Sequence, residues 1–184
     1  MKEMVKEKVW TYEDYLKLED DKRYEVIKGR LMEMPAPNFE HQRILNFINL
    51  KMYNFVLEKD LGEIVPSPFD IILSDNIVVQ PDIVFISNEN LKNIREGRLF
   101  GAPDLVVEIV SPGSFKRDRY EKFEIYEEFG IKEYWIVYPG EKVIEVWVLG
   151  ENGEYELYSF AEKEGKIKSK VLEGLEIDLK EVFG

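Results

Sequence analysis

The sequence contains no cysteine and only one histidine, His41. Disulfides, thiolate zinc sites and cysteine nucleophiles are therefore excluded, and any metal site must be built from oxygen ligands with at most one imidazole. A ligand set of this kind favours a hard cation such as Mg²⁺ or Mn²⁺.

Long apolar runs, internal repeats and low-complexity segments are also absent from the 184 residues. No stretch approaches the roughly 20 apolar residues that span a bilayer, and residues 1–8 are charged with no apolar segment after them. We therefore expect no membrane partner and a cytoplasmic location. A composition of 45% hydrophobic and 34% charged residues is typical of a globular protein, and the length predicts a single domain over residues 1–184.

An excess of positive charge is also absent, since 25 Lys and Arg stand against 37 Asp and Glu and the formal net charge is −12. This balance disfavours a protein that binds nucleic acid through a broad basic surface, because neutralisation of phosphates supplies most non-specific affinity. Two local basic clusters, at residues 92–98 and 116–122, nevertheless lie on either side of Glu108 in the sequence.

The spacing of apolar residues predicts a mixed α+β (α/β) fold, with a central mixed β-sheet flanked by helices. The predicted helices begin at the caps Thr11 and Asn38 and near Phe115, and end near Leu18, Lys59 and Phe129. The predicted strands are Tyr24–Ile27, Arg30–Met34, Ile64–Leu73, Ile77–Ile86, Leu105–Val110, Glu133–Val137, Val143–Leu149 and Glu154–Phe160.

One carboxylate, Glu108, interrupts the apolar run Leu105–Val110. A run of this composition predicts a strand covered on both faces. An ionised carboxylate is costly at such a position unless a cation or a metal neutralises it. Glu108 is therefore either half of a structural ion pair or a functional residue.

A second carboxylate, Asp82, follows Pro81 at the start of another apolar strand. Alone, it is typical of an aspartate that makes turn hydrogen bonds. If the two strands are neighbours, however, Asp82 and Glu108 can approach to about 4 Å, where their repulsion is about 4 kcal/mol at an effective dielectric near 20. A divalent cation would relieve that repulsion, and we predict Asp82 and Glu108 as metal ligands.

The helix that follows Glu108 carries Asp118, Lys122 and Tyr126 at i, i+4 and i+8, on one stripe. Asp118 and Lys122 can form an ordinary surface ion pair. Alternatively, Lys122 can reach the end of the Glu108 strand, where its ammonium would stabilise a phosphoryl transition state or orient an attacking water.

Three segments, QPDIVFI, GAPDLVVEIVSP and RDRYEKFEIYEEFGIKEYWIV, carry a resemblance to a known family. Together with YEVIKGRL and SKVLEGLEIDLKEVF, they resemble the Uma2 (DUF820) family of restriction-endonuclease-like proteins in the PD-(D/E)XK nuclease group. The resemblance implies a mixed sheet flanked by helices, divalent-metal-dependent hydrolysis of phosphodiester bonds, and a site that contains Asp82 and Glu108.

The sequence departs from the broad nuclease pattern at one position, because Val110 stands where that pattern has a lysine two residues after the acid. The resemblance therefore requires the lysine to come from the following helix, and Lys122 is the matching residue. Glu25 resembles an acidic residue that many of these nucleases carry in their N-terminal part. Its alternative is an outward-facing charge on a hairpin.

Further polar and aromatic residues have simpler interpretations. His41 is a neighbour of the site or a structural residue, and Asp104 is a loop or strand-entry residue. Four aromatic residues in the later strands could stack on bases but are better explained by packing: Tyr134, Trp135, Tyr138 and Trp147.

The leading hypothesis is a metal-dependent endonuclease that uses Mg²⁺ or Mn²⁺ and cuts nucleic acid, with DNA as the expected substrate and a homodimer as the plausible assembly. In it Asp82 and Glu108 bind the metal, Lys122 stabilises the developing charge and Glu25 assists. A second hypothesis is a nuclease-fold module that binds or assembles without cutting. A third makes Glu108 part of a purely structural ion pair with Arg117, Arg119 or Lys122.

Overall fold

A computed structural model describes residues 8–184. The strands are β1 (Arg23–Ile27), β2 (Arg30–Met34), β3 (Gly62–Pro66), β4 (Ile71–Ser74), β5 (Ile77–Val79), β6 (Ile83–Ser87), β7 (Ile94–Arg95), β8 (Arg98–Phe100), β9 (Leu105–Ile109), β10 (Glu133–Tyr138), β11 (Val143–Leu149), β12 (Tyr155–Glu162), β13 (Lys166–Lys168) and β14 (Glu176–Asp178). The helices are α1 (Tyr12–Tyr15), α2 (Phe39–Lys59), α3 (Lys122–Glu128) and α4 (Leu179–Phe183), with a 3₁₀ turn at Leu91–Asn93 and a π-helical turn at Arg117–Glu121. Within the described residues, no helix has both the length and the apolar character needed to cross a membrane.

The strands form two six-stranded sheets and one short hairpin. The first sheet has the order β2-β1-β5-β4-β8-β7, and the second has the order β12-β11-β10-β9-β6-β3. Each is mixed, because β4 pairs in parallel with β8 and β9 pairs in parallel with β10, while the other pairs are antiparallel. The predicted mixed α+β fold is confirmed, but it contains a second large sheet that the sequence did not predict.

Strand β9 lies inside the second sheet and is covered on both faces, as its apolar run predicts. On one face, Val107 and Ile109 belong to the apolar core that α2 covers. On the other face, Val106 and Val110 belong to a second core that includes Ile125 of α3 and apolar residues of the first sheet. Because side chains alternate along a strand, Glu108 points into this second core, between the two sheets.

Several local elements form where the sequence predicts them. Thr11 and Asp14 make a reciprocal capping box at the start of α1, and the side chain of Asn38 accepts a hydrogen bond from the His41 amide at the start of α2. Strands β1 and β2 form the predicted hairpin through Lys28 and Gly29, whose positive φ angles of 49° and 77° suit a tight turn.

The two long strands predicted at Ile64–Leu73 and Ile77–Ile86 are wrong as continuous elements. Each is divided into two shorter strands that belong to different sheets: β3 and β6 pair in the second sheet, whereas β4 and β5 pair in the first. Pro68 and Pro81 lie in the interruptions. A proline has no amide N–H to contribute to a sheet ladder, so the chain can leave one sheet and enter the other at these points.

A buried carboxylate at the start of β10 fastens the C-terminal segment to the second sheet. Glu133 accepts hydrogen bonds from the Trp135 indole at 2.6 Å, the Ser169 hydroxyl at 2.7 Å, and the amides of Lys170 and Val171 at 2.8 Å each. Both of its oxygens are therefore paired with donors, which explains how this charge is tolerated without a cation.

We expect Glu133→Ala to lower the free energy of unfolding by about 3 kcal/mol or more, because it leaves several buried donors unpaired. Chemical denaturation followed by circular dichroism measures this change. Glu173→Ala, at an exposed position nearby, is the matched control and should change stability by less than about 0.5 kcal/mol. Equal effects of the two substitutions would contradict the structural role of Glu133.

Candidate active site

The two predicted metal ligands lie next to each other in the second sheet, with Asp82 directly before β6 and Glu108 within the antiparallel neighbour β9. In the register of β6 with β9, Ile83 is opposite Val107, which places Asp82 beside Glu108. The Ile109 amide donates a hydrogen bond of 2.7 Å to Asp82 Oδ2. The two strands are therefore sheet neighbours, which is the condition under which Asp82 and Glu108 can approach each other.

Glu108 is almost completely buried, with 3% of its surface exposed. Its Oε1 atom accepts a 2.7 Å bond from the Lys122 ammonium and a 2.6 Å bond from the Tyr126 hydroxyl. Within residues 8–184, Oε2 has no hydrogen-bond donor, and the side chain lines a cavity of about 680 Å³. One oxygen of Glu108 is thus held in place, and the other remains available to a ligand.

The Lys122 side chain has no exposed surface and joins the two sheets. Its Nζ atom lies 2.7 Å from Glu108 Oε1 in the second sheet and 2.7 Å from Glu25 Oε1 in the first. The Asp118 carboxylate is farther away, at 3.8 Å. Of the three cations considered as structural partners of Glu108, Lys122 is the one in contact. It does not line the cavity, whereas Glu108 does, so it lies behind Glu108 as seen from the cavity.

Glu25 points inward from β1, so its interpretation as an outward-facing hairpin charge is wrong. The side chain is fully buried, and its Oε1 atom also accepts a 2.8 Å hydrogen bond from the Gln80 amide. Its Oε2 atom is buried without a hydrogen-bond partner in the described residues. The structure therefore brings Glu25, Glu108 and Lys122 together.

Arg117 is the site residue that sequence reasoning did not place. Its Nε atom lies 3.5 Å from Glu25 Oε2 and 3.7 Å from Asp118 Oδ1, and its side chain lines the cavity. The sequence signal was present in the basic cluster at residues 116–122, but helical spacing alone could not separate Arg117 from its exposed neighbours.

A π-helical turn orients the helix that supplies these residues. The predicted helix near Phe115–Phe129 forms, but its Lys122 amide bonds to the Arg117 carbonyl, one residue farther back than in an α-helix. The Tyr134 hydroxyl donates a 2.8 Å hydrogen bond to the Asp118 carbonyl and ties this turn to β10. Such turns often occur at functional sites, because the extra residue changes which side chains face the site.

Acidic groups outnumber basic groups in this cluster. Burial and, to a smaller extent, the nearby Asp118 carboxylate raise the pKa of Glu108 to about 8, against the opposing effect of Lys122. Burial also raises the pKa of Asp118. For Lys122, burial lowers the pKa, but the carboxylates of Glu108 and Glu25 outweigh that effect and raise it overall, so the ammonium stays charged. The cluster thus holds more acidic groups than cations, and burial favours the protonated form of Glu108 and of Asp118.

The remaining predicted residues divide between the site and the scaffold. His41 Nε2 lies 3.1 Å from Asp82 Oδ2, which makes it a neighbour of the site. Asp104 lies at the opposite end of β9, where it accepts bonds from the Ser87 amide and the Lys132 ammonium, both structural contacts.

The four candidate stacking aromatics are mostly packing residues. Tyr134 and Trp135 are completely buried. Trp147 packs edge-on against Phe123, at a centroid distance of 5.1 Å. Tyr138 is the exception, because it contributes to the cavity wall.

The cavity has a volume of about 680 Å³, which is within the usual range for a small-molecule or nucleotide site. Asp82 and Glu108 lie in its wall, with His41, Arg117 and Asp118 beside them. The other lining residues come from the segments that surround these groups: Arg23, Met34, Pro35, Ala36, Pro37, Asn38, Glu40, Ile109, Val110, Ser111, Pro112, Ser114, Phe115, Tyr138, Pro139, Gly140 and Glu141.

The donor set of this cavity fits a hard divalent cation. Asp82 and Glu108 each keep one carboxylate oxygen that receives no hydrogen bond from residues 8–184. Two acidic ligands completed by water and substrate oxygens are typical of Mg²⁺ sites. The described residues do not contain a ready-made group of three or more histidine or acidic ligands, so the protein alone would supply only part of the coordination shell.

The chain shares its fold with a solved structure. It matches a crystal structure described as "a putative nuclease belonging to DUF820", from Anabaena variabilis ATCC 29413, with a TM-score of 0.78. The two sequences are 20% identical, and the match covers 94% of this chain and 97% of that one.

The family model of Uma2, described as "Putative restriction endonuclease", matches residues 12–180. The chain therefore belongs to the Uma2 family, and the resemblance drawn from its motifs is confirmed. No curated protein gives a significant match to this chain.

We expect Lys122→Met to lower the free energy of unfolding by about 3–5 kcal/mol, because it leaves two buried carboxylates without their shared cation. Denaturant unfolding measures the change. Lys116→Met, an exposed lysine on the same segment, is the control, and adding Glu25→Gln to Lys122→Met should recover part of the loss. A Lys122→Met protein as stable as the control would contradict the central role of this ammonium.

The raised pKa of Glu108 predicts a pH-dependent stability. The folded state retains a proton that the unfolded state releases above its ordinary carboxyl pKa of 4.5, so this contribution to stability is lost as the pH rises from about 5 to 8 and is constant above that. As the pH rises through this range, the melting temperature of the wild-type protein in EDTA should therefore fall relative to that of Glu108→Gln, whose side chain cannot ionise. Parallel profiles of the two proteins would show that Glu108 does not titrate in this range.

Proposed function

We propose that this protein is a nuclease that hydrolyses phosphodiester bonds of nucleic acid, with DNA as the substrate and Mg²⁺ or Mn²⁺ as the cofactor. The observation that carries the proposal is the pair Asp82 and Glu108, held at neighbouring positions of the second sheet in the wall of a cavity, with one carboxylate oxygen each that receives no hydrogen bond from the described residues. Membership of the Uma2 family and the nuclease fold support the same reaction class.

The residues of the chain divide the work of such a reaction. The Ile109 amide and His41 hold Asp82, and Lys122 with Tyr126 holds Glu108, so both carboxylates keep a fixed orientation. A divalent cation bound to them would polarise the phosphoryl group and lower the pKa of the attacking water. The position of Lys122 behind Glu108 favours an orienting role for its ammonium, and Glu25 would fix that ammonium from the other side.

The second candidate is a module with the nuclease fold that binds or assembles without cutting. The contact that favours it is the same Lys122 ammonium, since it already compensates part of the charge of Glu108 and Glu25 without a metal. The net charge of −12 also favours it over a protein with strong non-specific affinity for nucleic acid. A homodimer is compatible with both candidate functions and stays a prediction. The single domain over residues 1–184 also stays a prediction.

We expect the wild-type protein to cut plasmid or single-stranded DNA in Mg²⁺ or Mn²⁺, and Asp82→Asn and Glu108→Gln to lose at least about 100-fold in rate. Gel assays on identically purified proteins measure the rates. Glu63→Gln removes an exposed carboxylate from the same sheet and should cut like wild type. Equal rates in all four proteins would identify a contaminant and refute the assignment.

Calorimetric titration with Mn²⁺ separates the nuclease from the inactive module. A nuclease should bind the ion with an affinity that falls at least about tenfold in Asp82→Asn and in Glu108→Gln. The inactive module should give little heat with wild type, and no difference between wild type and the two variants. The titration does not depend on choosing the right nucleic acid.

A further inference from the structure

The Arg117 guanidinium is largely buried, and its donors have no hydrogen-bond partner in the described part of the chain. The side chain is only 10% exposed, and its Nε atom is buried without a hydrogen-bond partner. Its terminal amino groups donate no hydrogen bond to any residue in the range 8–184, although the side chain lines the cavity. An arginine has five N–H donors, and leaving them unused in a largely buried position is costly.

Two carboxylates hold this guanidinium in place without saturating it. Glu25 Oε2 and Asp118 Oδ1 lie 3.5 and 3.7 Å from Nε, which is within ion-pair range but too long for good hydrogen bonds. Both oxygens also lack hydrogen-bond partners among the described residues. The carboxylates therefore attract the charge toward the cavity wall, and its donors remain available for an anion.

The other cations near the site differ from Arg117 in their contacts. Lys122 is fully buried and already contacts Glu25 and Glu108. Arg119 lies over the Trp147 ring at 5.2 Å and does not line the cavity. Arg23 does line the cavity, but its Nε donates to Gln80 at 3.1 Å.

We infer that Arg117 binds a phosphate group of the nucleic acid chain and positions it beside Asp82 and Glu108, an inference that rests on the proposed function. A guanidinium matches two phosphate oxygens with two parallel N–H donors, which a lysine ammonium cannot do. The role differs from that of Lys122, because Arg117 contacts the substrate from the cavity wall whereas Lys122 orients Glu108 from behind.

The wall next to Arg117 suits an unpaired nucleotide. Phe115, two residues earlier, is 45% exposed, and its ring lies 6.2 Å from the Tyr138 ring in the same cavity. Aromatic side chains beside a phosphate-binding cation are the usual means of holding single strands, because any base can stack on them. A fluorescent single-stranded oligodeoxynucleotide is therefore the probe for this contact.

The test measures binding in the absence of any metal, so that it does not depend on cleavage. In an Asp82→Asn background, which removes one repulsive charge from the cavity, fluorescence anisotropy in EDTA gives the dissociation constant of the oligonucleotide between about 50 and 200 mM salt. Arg117→Gln should weaken binding about tenfold or more. It should also reduce the slope of log affinity against log salt by about 0.7, the value for one phosphate contact with a single strand.

Two further variants make the result decisive. Arg119→Gln removes the same charge two residues away and should stay within about twofold of the background protein. Arg117→Lys keeps a positive charge among the carboxylates and therefore controls for a loss of folding in Arg117→Gln. It should still bind several-fold more weakly than the background protein, because the paired donors are lost.

The outcomes separate this inference from the proposed function. Weaker binding in both Arg117 variants supports it, even if the wild-type protein cuts no substrate. Equal binding by the Arg117 and Arg119 variants, or no measurable binding by the background protein, overturns it, even if wild-type protein cleaves DNA.

Discussion

The ammonium of Lys122 is the contact on which the arrangement of both sheets around the site depends. It reaches from α3 to Glu25 in the first sheet and to Glu108 in the second, at 2.7 Å each, with no exposure to solvent. Each of the three charges would be costly alone in the surrounding apolar core, so each requires the other two. The same contact therefore closes the space between the sheets and fixes the orientation of Glu108.

Two buried glutamates in neighbouring strands show how the surroundings separate a structural carboxylate from a functional one. Both oxygens of Glu133 are used by four donors, and the side chain serves only to attach the C-terminal segment. Both donors to Glu108 meet the same oxygen, and the other oxygen belongs to the cavity wall. Burial alone would not have distinguished them, and the unused oxygen is the observation on which the proposal of Glu108 as a metal ligand rests.

Local chemistry made much of this arrangement predictable from the sequence. Capping residues located the start of α2, the apolar run located β9, and helical spacing put Asp118, Lys122 and Tyr126 on one stripe. The division of the strands between two sheets was not predictable, because it depends on packing between segments distant in sequence. The burial of Glu25 and the exposure of Arg117 to the cavity follow from that packing, so neither could be derived from local pattern.

Val110 stands where the broad nuclease pattern has a lysine, and this is consistent with the packing of α3 against β9. A residue two positions after Glu108 shares its face of β9, and Val110 indeed belongs to the same core as Ile125 and Tyr126 of α3. The helix thus covers the face from which a strand lysine would project, and a lysine on the helix can reach the same carboxylate from the opposite direction. Lys122 does not line the cavity, whereas Arg117, one π-helical turn earlier, does. The two proposed roles follow from this difference: Lys122 would orient Glu108, and Arg117 would meet an anionic substrate.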